Sequence, residues 1–167
     1  MKIALVAHDS RKRELVEWVT YNLNNLRKHE LYATGTTGRM IQQIEGNVSY
    51  EPIGGNSEGT TYGRYCEYPL ADKVTCLHSG PLGGDQEIGA MIANGQIDVL
   101  IFFCDNLIQQ GHQNDVSALT RLASLYNIAF ATNRTTADMI LTSPLFGNPD
   151  YKKVVPAAIE NYKNRSI

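Results

Sequence analysis

Clusters of small polar, glycine and ionisable residues follow four short apolar, strand-like runs of this chain. The clusters are His8-Asp9 after 2–7, Thr34 to Gly38 after 31–33, Ser79 to Asp85 after 74–77, and Asp105, His112 and Asp115 after 97–103. In an open parallel sheet the carboxyl ends of the strands lie along one edge, and ligands bind in the crevice there. The four clusters are therefore predicted to meet in one pocket.

The segment Thr34-Gly35-Thr36-Thr37-Gly38 joins a predicted strand to a predicted helix. Its backbone N–H groups and three hydroxyls can converge on an anion at a helix N-terminus, where the helix dipole favours negative charge. The same residues are also typical of a helix cap with glycine for the turn, and the segment alone favours neither interpretation. It is neither a Walker loop nor the dinucleotide fingerprint, which disfavours nucleoside triphosphates and NAD.

The segment Ser79 to Asp85 is a second glycine-rich turn, and it ends in a carboxylate where a helix is predicted to begin. Asp85 is either a helix cap or a general base, since glycines let a substrate approach the backbone closely. Lys12 lies about one helical turn beyond His8-Asp9 and can bring positive charge to the same crevice. The run of 11–13 is also typical of a solvated face.

Asp105, His112 and Asp115 crowd one strand-to-helix connection, an arrangement that suits acid/base chemistry. A third metal ligand with suitable spacing is missing, so no metal is predicted. Cys66, Cys76 and Cys104 are odd in number and fit neither a disulfide framework nor a zinc site. They are interpreted as structural thiols with no redox role.

Strands at 2–7, 31–33, 74–77, 97–103 and 128–131 are predicted to alternate with helices. The helical patterns lie over 11–26, after 38, from near Asp85, from a cap at Asn114 or Asp115, and through Ala137 and Leu141. This alternation predicts an α/β fold, a doubly wound and mainly parallel five-stranded sheet of the flavodoxin-like class. The region 46–73 lacks a helical period and predicts an inserted loop or hairpin at the rim.

The 167 residues fit one domain, 1–167. A 43% hydrophobic and 19% charged composition with net charge -2 is typical of a globular protein and does not favour nucleic acid. No apolar run is long enough to cross a bilayer, and the amino-terminal run is too short for a signal peptide. A cytoplasmic location without membrane association is expected.

These segments together resemble the methylglyoxal synthase family, whose members convert dihydroxyacetone phosphate to methylglyoxal and inorganic phosphate. The matching strings include 3–9, 31–38, 79–86 and 97–103, then Asp105, His112, Asp115, 119–123 and 131–133. The likeness spans nearly the whole chain except 46–73, which looks like an insertion beyond the usual length of the family. It implies a lyase without a cofactor that acts in methylglyoxal biosynthesis as a bypass of glycolysis. A homohexamer is also implied, with phosphate as product and possible inhibitor.

The resemblance assigns the substrate phosphate to Lys12, Thr34, Thr36, Thr37, Ser79 and Gly80, with His8 at the entrance. Asp85 becomes the general base and His112 the donor to the carbonyl oxygen, and Asp9, Asp105 and Asp115 complete the polar network. Arg165 resembles a basic residue of the family that approaches the phosphate. The chain departs from the family pattern at Asn106, where proline is usual, and at Gly111 to Asn114, changes that loosen the loop carrying His112.

Two other functions stay open from the sequence. A ligand-sensing regulatory module of the same fold needs the phosphate site but has no use for Asp85 together with His112. A sugar-phosphate isomerase shares the enediolate step but keeps the phosphate on its product.

Overall fold

Five parallel strands form the central sheet of the computed structural model, which describes residues 1–56, 59–108, 111 and 113–165. The strands are β1 (Lys2–Ala7), β2 (Glu30–Thr34), β5 (Val74–Leu77), β6 (Val99–Phe103) and β7 (Ala129–Ala131), and β3 (Val48–Asn56) and β4 (Gly59–Cys66) form a separate pair. The helices are α1 (Lys12–Tyr21), α2 (Leu23–Leu26), α3 (Gly35–Gln42), α4 (Gly84–Ala93), α5 (Gln113–Leu125), α6 (Arg134–Thr142) and α7 (Ala157–Lys163), with 3-10 turns at Asp9–Arg11 and Gly80–Leu82. No helix in the described ranges combines the length and apolarity needed to cross a bilayer.

The sheet has the strand order β5-β2-β1-β6-β7, and every pairing in it is parallel. The predicted fold class, a doubly wound and mainly parallel five-stranded sheet, is confirmed. The order reverses direction between β1 and β6, because the chain first builds outward through β2 and β5 and then returns to the other side of β1. Ligands of such sheets bind beyond the carboxyl ends of the strands at this switch point.

Helices cover both faces of the sheet because the buried strands are apolar on both sides. Ile3 and Leu5 of β1 pack with Leu15 and Trp18 of α1 on one face, where α3 and α6 also lie. The alternate β1 residues, Ala4 and Val6, face the second core, which contains the apolar sides of α4 and α5. The period of two along β1 thus supplies two cores, and the polar residues are left for the strand ends.

The element boundaries differ from prediction at three places. The helix predicted over 11–26 is broken at Asn22, whose side-chain amide donates to the Trp18 carbonyl at 2.9 Å and ends α1. The predicted cap at Asn114 or Asp115 is wrong, because α5 already begins at Gln113 and both residues lie in its first turn. The pattern analysis also missed α7, which buries one apolar residue, Ile159.

The region 46–73 contains the predicted hairpin, made of the antiparallel strands β3 and β4. It emerges where α3 ends, at the amino edge of the sheet, since the Gln42 side chain donates to the carbonyl of Val74 at the start of β5. Its base is closed by the Gly46 N–H, which donates to the Glu67 carbonyl at 2.8 Å. The hairpin therefore begins on the side of the molecule opposite the predicted pocket.

Candidate active site

A cavity of about 630 Å³ opens at the carboxyl edge of the sheet, beside the switch point between β1 and β6. It is lined by Val6, Ala7, His8, Asp9, Lys12, Thr34, Thr36, Thr37, Ser79, Gly80, Pro81, Asp85, Phe102, Gly111 and Asp115. All four predicted clusters contribute to this lining. A second hollow, of about 490 Å³, lies near the amino ends of β6 and β7, and its lining contains none of the predicted site residues.

The threonine segment and the Ser79 turn are in direct contact. The Gly35 N–H donates to the His78 carbonyl at 3.1 Å, and a Cβ on Gly35 would collide with the Ser79 side chain and backbone. Gly35 also has a φ of +32°, in the region that L side chains rarely adopt. Position 35 therefore requires glycine for two reasons, the lack of space for a side chain and the positive φ. The hydrogen bond from Gly35 to the His78 carbonyl holds the two turns together at the floor of the cavity.

The hydroxyls of the threonine segment are not used as helix caps. Thr34 is the N-cap of α3 but makes no side-chain capping hydrogen bond. The Thr37 hydroxyl is buried and has no hydrogen-bond partner among the described residues. A buried polar group without a partner is costly, so this arrangement favours an anion cradle over a simple cap.

Asp85 lies in the first turn of α4, whose N-cap is Gly83, so the capping interpretation of Asp85 is wrong. Its side chain is 2% exposed and turns toward the Ser79–Gly80 backbone. A Cβ on Gly80 would lie 3.0 Å from each of the two Asp85 carboxylate oxygens. Glycine at position 80 therefore lets the carboxylate approach the turn that touches the threonine segment.

Lys12 is the cationic side chain among the described residues that line the cavity. Its ammonium is 2.5 Å from the Asp9 carboxylate, and the Lys12 side chain is 20% exposed whereas that of Asp9 is 93% exposed. Asp9 thus lies at the mouth and Lys12 further inside. Arg11, its neighbour, instead pairs with Glu14 at 2.8 Å.

His8 is held in one tautomer by the backbone. The Asp105 N–H donates to His8 Nδ1 at 2.8 Å, and the ring lies edge-on to Phe102 with centroids 5.1 Å apart. Because Nδ1 accepts this bond, the imidazole is neutral and carries its proton on Nε2. His8 is buried, so the cavity wall contains an uncharged imidazole of fixed orientation.

Asp105 is not among the residues that line the cavity, and its predicted place in the polar network stays a prediction. Its carboxylate accepts from the Ser10 hydroxyl at 2.5 Å and from the Leu107 N–H at 3.0 Å. These bonds, led by the one from Ser10, lower the pKa of Asp105 below its ordinary value. Asp105 instead fixes the loop whose amide orients His8.

The remaining predicted residues have different outcomes. Asp115 lines the cavity from the first turn of α5, next to Gly111. His112 lies outside the described residues. Arg165 is not among the residues lining the cavity, because its guanidinium stacks 3.8 Å above the Tyr162 ring and donates to the Tyr162 hydroxyl at 2.9 Å.

A family model described as an MGS-like domain matches residues 14–132. A protein named methylglyoxal synthase from Coxiella burnetii is 45% identical over 166 residues, which cover 99% of this chain and 97% of that one. The chain belongs to the methylglyoxal synthase family. A methylglyoxal synthase from Yersinia enterocolitica is also 45% identical, over 96% of this chain and 86% of its own. The crystal structure of methylglyoxal synthase from Elizabethkingia anophelis NUHP1 superposes with a TM-score of 0.76 at 39% identity and covers 99% of this chain and 91% of that one.

Two structural supports of this candidate site escaped the sequence analysis. Ser10 binds Asp105 across a sequence distance of 95 residues, and nothing in its local pattern signals that contact. Glu87 accepts from the His78 backbone N–H at 2.9 Å and from its ring at 2.6 Å, which ties the end of β5 to α4. These bonds lower the pKa of Glu87. The sequence offered one indication of this role, which is the position of Glu87 in the first turn of a predicted helix.

Cys104 lies next to this site but is unsuited to be a nucleophile. Burial, with a smaller contribution from the Asp85 charge, raises the pKa of the Cys104 thiol to about 11. The described part of the chain also contains no group of three or more His, Cys, Asp or Glu side chains placed to hold a metal ion. Among the described lining residues, the groups able to exchange protons are carboxylates, the His8 imidazole and the Lys12 ammonium.

Proposed function

We propose that this chain is a methylglyoxal synthase, a carbon–oxygen lyase that converts dihydroxyacetone phosphate to methylglyoxal and inorganic phosphate. The observation that carries the proposal is the buried Asp85 carboxylate beside Gly80, in the same cavity as the Thr37 hydroxyl, for which the described residues offer no hydrogen-bond partner. A triose phosphate needs an anion cradle and a base separated by the length of a three-carbon chain. Ser79 and Gly80 link these two parts directly.

The substrate phosphate would be bound by Lys12, Thr34, Thr36, Thr37, Ser79 and Gly80. Lys12 contributes a positive charge, the threonine and serine hydroxyls donate hydrogen bonds, and α3 contributes its N-terminal N–H groups. This binding takes place away from the reacting carbon and fixes its orientation. Loss of a cradle residue should therefore lower turnover as well as affinity.

Asp85 would act as general base and remove a proton from the hydroxymethyl carbon next to the ketone. The electron pair of that C–H bond forms the enediolate, and His112 would donate a hydrogen bond to the oxygen where negative charge develops. The enediolate then breaks the carbon–oxygen bond to phosphate. The resulting enol takes a proton at its terminal carbon and becomes methylglyoxal, so no oxidant or reductant is consumed.

His8 and the acidic residues would complete the site. The neutral His8 ring presents an Nε2–H donor without adding charge, because the Asp105 amide occupies Nδ1. Asp9, at the mouth, would hold the Lys12 ammonium by its ion pair, and Asp115 would contribute from the first turn of α5. Asp105 would act by positioning His8.

Two alternatives differ from this proposal in their products. A ligand-sensing module of the same fold would bind phosphate esters and leave them unchanged, and the burial of Asp85 beside the cradle disfavours it. A sugar-phosphate isomerase would form the same enediolate but return a phosphorylated product. Product identity therefore separates all three functions.

The experiment is to incubate the purified protein with dihydroxyacetone phosphate in D₂O and follow the reaction by proton and phosphorus NMR. The proposal predicts methylglyoxal and inorganic phosphate in equal amounts, with one deuteron in the methyl group from protonation of the enol. Glyceraldehyde 3-phosphate as the product would establish an isomerase. Unchanged substrate in the presence of measurable phosphate binding would favour the sensing module.

The proposal includes three properties carried over from the family resemblance. These are assembly into a homohexamer, a cytoplasmic location within a bypass of glycolysis, and inhibition by inorganic phosphate. Phosphate inhibition follows physically if the product occupies the same cradle as the phosphate of the substrate.

A further inference from the structure

The β3–β4 hairpin is an isolated two-stranded sheet. Within the described residues, neither strand packs extensively against any element except the other strand. Its attachments to the domain lie at its base, through the Gly46–Glu67 bond and an ion pair of 2.6 Å between Arg64 and Glu45. Two-stranded hairpins are marginally stable in water, and three or more strands with an apolar face are needed for stability.

The hairpin also presents large apolar side chains to solvent. Tyr50, Ile53 and Tyr62 are 65%, 61% and 59% exposed, and Val48 and Tyr65 are exposed as well. The pairing of β3 with β4 places six side chains on the same face of the hairpin, namely those of Val48, Tyr50, Pro52, Tyr62, Arg64 and Cys66. Exposed apolar patches of this kind mark interaction sites.

The two outer edges of the hairpin are not equivalent. β3 contains Pro52, which has no N–H to donate, and an irregular register between Pro52 and Gly54. Both features block the addition of another strand. β4 has neither a proline nor a lysine from Gly59 to Cys66, and it includes the strand-favouring residues Thr61, Tyr62 and Tyr65. The edge of β4 is therefore open to strand addition.

The sequence of β4 is complementary to itself when the strand is turned about a two-fold axis through Gly63. This antiparallel register places Tyr62 opposite Arg64 of the second copy, and Arg64 opposite Tyr62 of the second copy. An arginine guanidinium and a tyrosine ring attract each other in this arrangement. Registers with the two-fold axis through residue 62 or 64 lose this match, because Tyr62 then lies opposite Tyr62 or Cys66 of the second copy. The described hairpin strands carry one acid, Glu51, and one base, Arg64. The contact brings the two Arg64 guanidinium groups to diagonal positions on one face, and each is paired with Glu45 of its own chain, which reduces their mutual repulsion.

We propose that β4 pairs with β4 of a second copy of this chain, giving a four-stranded antiparallel sheet in the order β3-β4-β4-β3. The contact is isologous, since the same residues serve both copies. It supplies the additional strands that an isolated hairpin lacks. The inference does not rest on the proposed lyase activity, because the hairpin contributes no residue to the cavity of its own chain.

Because the proposed homohexamer would itself raise the mass, the first experiment compares the wild type with a β4 variant by sedimentation velocity and light scattering over a range of protein concentrations, and the difference between them reports this contact. Tyr62→Lys places a lysine against the partner's Arg64 and should raise the dissociation constant of this contact by about tenfold or more, since like charges are juxtaposed. Tyr21→Lys changes an exposed tyrosine of α1 and serves as the matched control, with no change expected. A monomeric wild-type chain, or equal dissociation constants for wild type and Tyr62→Lys, would overturn the proposal.

A cross-linking experiment keeps the proposal testable if Tyr62→Lys alters folding. The two-fold register places residue 60 opposite Cys66 of the second copy, at a distance that a disulfide can span. Thr60→Cys should therefore give a covalent dimer under mild oxidation, and the added Cys66→Ser should abolish it. Thr61→Cys, whose side chain lies on the other face, should give no such dimer. Equal cross-linking of the two single variants, or none in Thr60→Cys, would rule out this register.

Discussion

Gly80→Ala tests how closely the Asp85 carboxylate must approach the cradle. The added methyl would lie 3.0 Å from both carboxylate oxygens and 3.3 Å from Cγ of Asp85. Gly80 does not have a positive φ, so alanine fits the backbone there. Since comfortable contacts between heavy atoms begin at about 3.5 Å, the carboxylate must move by roughly half an ångström. Misplacement by about 1 Å can cost 100-fold in rate, so we expect kcat to fall about tenfold, or about 1.4 kcal/mol in activation free energy.

The assay is the steady-state formation of methylglyoxal, together with titration of inorganic phosphate into the same variant. Phosphate affinity should stay within about threefold of wild type, because the backbone N–H at position 80 is retained. Gly54→Ala is the control, since its methyl meets no described atom within 4 Å. A Gly80→Ala enzyme with wild-type kcat would show that the position of the Asp85 carboxylate does not limit the reaction.

Three further predictions concern neighbouring residues. Thr37→Val removes a buried hydroxyl that has no partner in the described chain. It should raise the free energy of unfolding by up to about 1 kcal/mol and weaken phosphate binding about tenfold. Thermal unfolding and phosphate titration measure these two effects, and a less stable protein or an unchanged phosphate affinity would contradict the prediction. Ser10→Ala should raise the pKa of Asp105. A carboxyl group whose pKa is lower in the folded than in the unfolded protein stabilises the fold, and this stabilisation is lost as the pH falls through the folded-state pKa. Acid unfolding of Ser10→Ala should therefore begin at a higher pH than that of the wild type. An unchanged titration of the Asp105 carboxyl, followed by NMR, would contradict this prediction. Cys104, with a pKa of about 11 against 9.0 for an ordinary thiol, should react with iodoacetamide at pH 8 about 100-fold more slowly than in the unfolded chain; equal rates in mass spectrometry would refute it.

The sheet could be predicted because its local signals agree with its long-range contacts. β1 and β6 are apolar on both faces, as expected of strands buried between two helix layers. The position of each strand end then placed the four polar clusters at one edge. The order of the strands was not predictable, because periodicity does not encode which strands are neighbours.

The sequence predicted the site residues where the residue type and its position after a strand allow few structural roles. The Thr34–Gly38 segment and Asp85 could be assigned to one cavity, but the choice between cap and ligand required the observed hydrogen bonds. Ser10 and the amide of Asp105 could not be found, because their roles depend on contacts between residues 95 and 97 positions apart. Asp105 itself was given a direct role from its neighbours in sequence, whereas its side chain turns to Ser10.

The hairpin shows the same limit. Glycine and tyrosine residues without a helical period predicted an irregular insertion or hairpin, and the structure has β3 paired with β4. The pattern did not show which edge of the sheet the hairpin leaves. That depends on α3 running back from the carboxyl edge to the start of β5.

The central claim is that Asp85 takes a proton from a substrate held by its phosphate, and Asp85→Asn tests it most directly. The amide keeps the shape of the side chain but cannot accept the proton. We predict that single-turnover formation of methylglyoxal falls by a factor of about 100 to 10,000, while the dissociation constant for inorganic phosphate stays within about threefold. An Asp85→Asn protein that forms methylglyoxal at the wild-type rate would contradict the account.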